Sequence, residues 1–234
     1  MFDILEQKSE FFKILDLPNQ PVKYKLWSDG KSLVMENHRW PMSLYETEFF
    51  FLKDLVIRYN LKNGYEVATG FGVSAIGAGL GFKENKGKLV TIDSYVEEKS
   101  ENYFIYRDRE PVSYENTDGW KSVNFLIKSF GLDDIITPKV GWSPYDIPTI
   151  LSEYTQEKFD YAFIDGGHFP EQIIKDTEVI LPYLADKCIV VYHDTFPDYF
   201  TEEVMNYIEL KLGKRPTIAL PEPHGLNIST VIRK

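Results

Sequence analysis

The sequence of 234 residues has one cysteine, no apolar run of about 18 residues and no excess of basic charge. A lone cysteine, Cys188, cannot form an internal disulfide, which removes the disulfide-stapled scaffolds and points to a reducing, cytoplasmic setting. It lies in the apolar run KCIVVYH and reads as a small core residue. Without a long apolar run the chain predicts no membrane-spanning helix, and the N-terminal MFDILEQKSEFF, charged every few residues, has no signal-peptide centre. A formal charge of −10 argues against a nucleic-acid groove, which needs a basic face. Internal repeats and low-complexity tracts are absent too. What the chain has in plenty is aromatic rings, 15% of residues and mostly Tyr and Phe, enough for a core and for a ring-lined pocket or lid. Its length suits one α/β domain with a short appendage.

Residues 1–42 read as a cap: a short helix over Ile4–Leu15, a break at Pro18 and Pro21, and a strand pair around 24–27 and 32–36 joined by Ser28-Asp29-Gly30. Ser43-Leu44-Tyr45-Glu46 has capping-box form and opens a helix that runs to Tyr59. Strands are then expected at 65–69, 88–92, 135–140, 159–164 and 187–192. Helices are expected between them, near 73–82, 117–130, 146–155 and 170–183, with Gly131 as a C-cap. A helix over Thr201–Leu212 precedes strands at 216–220 and 227–232, whose short connector allows only an antiparallel pair. The expected architecture is a Rossmann-like sheet of seven strands, mostly parallel, with helices on both faces and a C-terminal antiparallel hairpin. The main domain spans 43–234. Residues 94–116, polar and Tyr-rich, form an insert that serves as a lid or as an oligomer contact.

The stretch YEVATGFGVSA, residues 65–75, carries most of the functional signal. A strand ends, the turn Gly70-Phe71-Gly72 follows, and a helix of small residues begins. Such a turn brings bare N–H groups and a helix N-terminus to one spot, where a nucleoside-bearing cofactor can approach. Asp93 closes the next strand, at the distance where an acid holds a ribose hydroxyl pair. The turn fits the dinucleotide pattern G-x-G-x-x-[G/A] through Gly70, Gly72 and Ala75, so NAD stays open. Glu66, just ahead of the glycines, suits a positively charged ligand better than a pyrophosphate.

The four segments EVATGFGVSA (66–75), LVTID (89–93), FDYAFIDGGHFPEQIIKDTEVILPYL (159–184) and IVVYHDT (189–195) together resemble the class I S-adenosylmethionine-dependent methyltransferases. Within these they are similar to small O-methyltransferase-like families with an I-D-G-x-H motif. The resemblance covers residues 60–234 and implies methylation of a small-molecule hydroxyl, on a sugar or secondary metabolite. It implies cofactor contacts at Glu66, Ala68, Gly70, Gly72, Ser74, Asp93 and Asp165. Ala68 stands where the family's loop has its first glycine.

Methyl transfer to oxygen needs close, aligned reactants, and a base or a metal to manage the acceptor's proton. Asp165, His193 and Asp194 fall at the ends of neighbouring strands, with His168 close by. Carboxylates and imidazoles without thiolates suit Mg²⁺ or Mn²⁺. Related metal-assisted enzymes imply ligands at Asp165 and Asp194, with His193 beside them in place of an acid. Without a metal, His168 or His193 is the base. Trp142 and Ser143 follow the third strand of the sheet and are placed to stack on and bond an adenine, or simply to make a turn. His38, Arg39, Trp40 and Tyr45 form an acceptor-closing cluster or a packed cap, and His224 reads as a loop residue. Two other readings stay open: an NAD-dependent oxidoreductase, disfavoured by the lack of a Tyr-x-x-x-Lys pair, and a non-catalytic binding or assembly member of the fold. A metal-dependent hydroxylase is a weaker fourth. The expected partners are a small acceptor and a second copy of the chain in a homodimer.

Overall fold

A computed structural model describes residues 4–26, 33–35, 44–95, 118–154, 158–221 and 227–233. The expectations for Ser28-Asp29-Gly30, His38, Arg39, Trp40, His224 and most of the insert lie outside these residues.

Among the described residues the main sheet holds β3 (Asn63–Val67), β4 (Lys88–Asp93), β5 (Ile136–Val140), β6 (Phe159–Ile164), β7 (Leu184–Tyr192), β8 (Thr217–Pro221) and β9 (Asn227–Arg233), in the order β5-β4-β3-β6-β7-β9-β8. Its parallel body is five of these seven strands, β3 to β7. Beyond it β9 lies antiparallel to β7, and β8 antiparallel to β9. The strand order reverses on either side of β3, so the carboxyl ends of β3 and its neighbours β4 and β6 form the crevice where open α/β sheets bind ligands.

Successive strand side chains point to opposite faces, and the core divides accordingly. Leu89, Tyr161, Phe163, Ile189 and Val191 pack towards α2 (Glu46–Arg58), α3 (Val73–Asn85) and α4 (Asp118–Ser129). Val67, Val90, Ile92, Ala162, Ile164 and Val190 pack towards α5 (Ile147–Leu151), α6 (Pro170–Ile180) and α7 (Glu202–Leu212). Helices therefore cover both faces. The expected helix at 146–155 is shorter: α5 ends at Leu151 and tightens into a 3₁₀ turn over Ser152–Tyr154. Gly131 closes α4 with φ +62°, as a C-cap glycine should.

The small residues of α3 let it lie close to α2. A Cβ on Gly77 would come within 2.9 Å of the Phe49 carbonyl oxygen, and one on Gly81 within 2.7 Å of that of Lys53. The N-terminus of α2 departs from the expected Ser43–Glu46 box. The N-cap is Tyr45, and its N–H donates to Glu48 Oε2 at 2.8 Å. In the cap, α1 (Ile4–Asp16) joins the same core, with Phe11 edge-on to Phe49 at 5.4 Å. Strands β1 (Tyr24–Leu26) and β2 (Leu33–Met35) pair antiparallel. The Tyr24 hydroxyl of β1 meets Ser122 Oγ, which donates to the Phe71 carbonyl at 3.0 Å, so the cap braces the glycine turn. Among the described residues no helix is long and apolar enough to cross a membrane.

Candidate functional site

The turn after β3 is built from three left-handed residues: Ala68 (φ +68°), Gly70 (φ +53°) and Gly72 (φ +93°). Gly72 begins α3, and a Cβ there would meet Val123 at 2.9 Å, so both conformation and packing demand glycine. At Gly70 nothing among the described residues lies within 4 Å of a Cβ position, which leaves the turn open to them on that side. Its N–H donates to Asp93 Oδ2 at 2.8 Å, while Asp93 Oδ1 accepts from the Tyr95 N–H at 2.7 Å. Asp93 thus ties the turn to the end of β4. Burial pushes its pKa up, against the pull of those two N–H bonds.

Ala68 sits where an L-residue costs about 1–2 kcal/mol, less the greater chain entropy that glycine loses on folding. Its N–H still donates to the Ile92 carbonyl at 2.8 Å. Ala68→Gly is therefore expected to stabilise the protein by up to about 1 kcal/mol, a rise in Tm of roughly 2–4 °C. Thermal unfolding of the two proteins side by side checks this.

Glu66 and Ser74 lie beneath the turn. Glu66 is fully buried; its Oε1 accepts from Ser74 Oγ at 3.1 Å and Thr91 Oγ1 at 2.9 Å, and its Oε2 has no hydrogen-bond partner among the described residues. Burial raises the carboxyl to about 8, overriding the two hydroxyl donors. Through Ser74 and Thr91 it supports the turn from below. Across the sheet, the Trp142 N–H donates to Asp146 Oδ2 at 2.8 Å, and the Ser143 hydroxyl is taken by Asp176 Oδ1. Asp176 is 1% exposed, also accepts from Gln172 Nε2 at 2.8 Å, and is raised by burial to about 6. Its Oδ2 would lie 2.4 Å from a Cβ on Gly166, which explains the first glycine of I-D-G-G-H.

At the ends of β6 and β7 the candidate chemistry gathers. His168 Nε2 is 2.8 Å from Asp194 Oδ2 and 4.0 Å from Asp165 Oδ1. Asp165, His168 and Asp194 each offer a ligand atom, all within 4.8 Å of one another. They border a hollow also lined by Gly166, Gly167 and Tyr192. His193, expected among the metal ligands, lies against the same acids but outside that group of three. Its Nδ1 is 3.1 Å from Asp165 Oδ1 and 3.5 Å from Asp194 Oδ1, and its Nε2 is 3.2 Å from Glu48 Oε1. Burial pulls the His193 pKa down, but Asp165 and Glu48 together carry it well above its usual value. His168 is raised by its hydrogen bond to Asp194, against burial. Burial raises Asp194, yet the bonds from His168 and His193 hold it well below the carboxylate range. Asp194 takes a left-handed φ of +50°, which Asp tolerates better than most residues.

Glu48 and Asp176 were not among the expected site residues. Both are acids on the buried stripe of a helix, Glu48 beside Phe49 and Leu52, Asp176 beside Ile173 and Ile180. That misplacement of charge in the helical period was the available signal.

The residues present fit two kinds of guest. Two carboxylates and an imidazole, with no thiolate among them, suit a hard divalent cation. The open glycine turn beside a strand-end acid suits a nucleoside cofactor.

Known proteins fit the same picture. No curated protein matches the chain. Among solved structures, the O-methyltransferase from Bacillus cereus in complex with SAH shares 16% identity, with a TM-score of 0.59 over 100% of this chain and 93% of that one. The O-methyltransferase TomG from Streptomyces achromogenes, involved in tomaymycin synthesis and in complex with SAM, shares 17% identity, with a TM-score of 0.59 over 98% and 89%. The methyltransferase PaMTH1 of Podospora anserina, bound to SAH, shares 15%, with a TM-score of 0.54 over 83% and 82%. Residues 66–195 match the family described as Methyltransferase domain, a stretch from Glu66 to Thr195 that takes in every strand end described above. The chain belongs to that family and has the class I fold of S-adenosylmethionine-dependent methyltransferases.

Proposed function

We propose that the protein methylates a hydroxyl oxygen of a small molecule, a sugar or secondary metabolite, from S-adenosylmethionine, in the cytoplasm and with help from Mg²⁺ or Mn²⁺. The observation that carries this reading is the open turn at Gly70 tied to Asp93, on the same sheet edge as the Asp165–His168–Asp194 cluster at the ends of β6 and β7, the next two strands after β3. S-adenosylmethionine, when bound, supplies a methyl group on a positively charged sulfur, open to in-line displacement. The N–H groups of the turn and the N-terminus of α3 would take its carboxylate end, and Asp93 its ribose hydroxyls. Asp165, at the end of the strand next to β3, would face the acceptor.

Asp165, His168 and Asp194 would hold a divalent ion, which would lower the pKa of the acceptor hydroxyl. In a metal-free site His168, 47% exposed and fixed by Asp194, would take the acceptor proton itself. Both roles need a neutral His168 ring. Since Asp194 raises its pKa, Mn²⁺ affinity is expected to climb with pH from about 6.5 upward, and titrations at successive pH values would show it.

Calorimetry with S-adenosylhomocysteine and with NAD separates the two cofactor readings. Binding of the first alone is expected; binding of NAD alone would replace the methyltransferase reading with a dehydrogenase. Methyl transfer lost on chelation and restored by Mn²⁺ or Mg²⁺ supports the metal role, and unchanged transfer in chelator removes it.

A further inference from the structure

We infer that Glu48 is a positioning residue for Asp165, acting across α2 through the ring of His193. Glu48 belongs to the first turn of a helix that precedes the cofactor-binding segment entirely, and neither its place in the chain nor the matched stretch 66–195 marks it out. Its side chain has no exposed surface. Its two oxygens do different things. Oε2 accepts from the Tyr45 N–H at 2.8 Å and so caps the helix. Oε1 lies 3.2 Å from His193 Nε2, in a contact where the histidine side chain is 6% exposed. The opposite ring nitrogen lies 3.1 Å from Asp165 Oδ1. The three groups form one chain, carboxylate to imidazole to carboxylate, from a buried helix end to a strand-end acid that is 21% exposed.

A carboxylate is acceptor-only when ionised, so each contact requires the ring to donate. Glu48 therefore fixes both the rotation of the ring and where its protons sit, much as an outer carboxylate orients a histidine at metal centres. His193 in turn takes one oxygen of Asp165, which sets the orientation of that carboxylate at the hollow. The alternative is that Glu48 does no more than cap α2. Capping alone would use Oε2 and would not bring Oε1 to a ring on the far strand β7. The close packing of α2 on α3, through Gly77 and Gly81, is what carries the acid that far in.

The role of Asp165 rests on the methyltransferase reading; the ring contacts do not. The test is NMR of the full chain with ¹⁵N-labelled histidine and ¹³C-labelled aspartate, assigned with His193→Gln and Asp165→Asn. In the unaltered protein His193 is expected to show two hydrogen-bonded ring protons. Glu48→Gln keeps the shape but offers one acceptor oxygen for two donors. It is expected to shift or lose the Nε2 proton signal and to move the Asp165 carboxyl resonance. The double variant with His193→Gln should move that resonance no further than His193→Gln alone, since the effect travels through the ring. Unmoved His193 and Asp165 signals in Glu48→Gln, or shifts that simply add in the double variant, would overturn the inference. Should Glu48→Gln fail to fold, the unaltered protein still decides: a His193 ring with an unprotonated Nε2 contradicts it. S-adenosylhomocysteine calorimetry on the same samples reads the methyltransferase assignment separately.

Discussion

Asp93→Ala is expected to weaken S-adenosylhomocysteine binding about a hundredfold, the equivalent of roughly 3 kcal/mol. Two losses add. The ribose hydroxyls lose a carboxylate acceptor, and hydrogen bonds to charged groups are worth about 1.5–3 kcal/mol each. The Gly70 N–H also loses its partner, so the turn that should meet the ligand is no longer held against β4. Asp93→Asn should cost less, since its amide oxygen can still serve one of the two backbone donors. Calorimetry on the three proteins gives the order. An Asp93→Ala protein that folds and binds as tightly as its parent would remove Asp93 from the cofactor site.

The second large effect concerns Glu66 and pH. Its carboxyl titrates near 8 in the folded protein against 4.5 ordinarily, because burial disfavours the charged form. The native state therefore holds a proton that the unfolded chain releases between these values. Stability from this group is full below about pH 4.5, falls as pH rises, and is fully lost above about 8. The slope approaches 1.4 kcal/mol per pH unit, and the total is a few kcal/mol. His193, also raised, acts in the same direction at higher pH, its contribution present below about 6.5 and lost through its folded value. Glu66→Gln cannot ionise and still offers an oxygen to Ser74 and Thr91. It should match the parent near pH 5 and exceed it clearly at pH 8.5. Urea unfolding at both values tests this; equal pH dependence in the two proteins would mean that Glu66 is charged in the fold.

Much of this was legible in the sequence, and the physical reasons differ from place to place. The parallel strands announce themselves because they are buried on both faces and read as apolar runs, as in LVTID and YAFI. Their ends mark the candidate site, since Asp93, Asp165 and Asp194 are acids that close apolar strands. Side-chain direction was not legible. His168 and His193 are both imidazoles near the same acids, and only the fold shows that the far nitrogen of His193 meets Glu48 while His168 meets Asp194. Nor did the sequence show that Ser143 is taken up by Asp176, because that contact joins the loop after β5 to α6 across 33 residues. Glu48 read as an ordinary helix-start acid; its second oxygen reaches His193, 145 residues away.

The most direct test is a crystal structure of the full chain grown with S-adenosylhomocysteine. The ligand should lie over Gly70–Gly72, its ribose hydroxyls within hydrogen-bond reach of Asp93 and its sulfur on the side of Asp165. Density for the ligand away from that turn, or a turn closed over by side chains with the ligand excluded, would contradict the account.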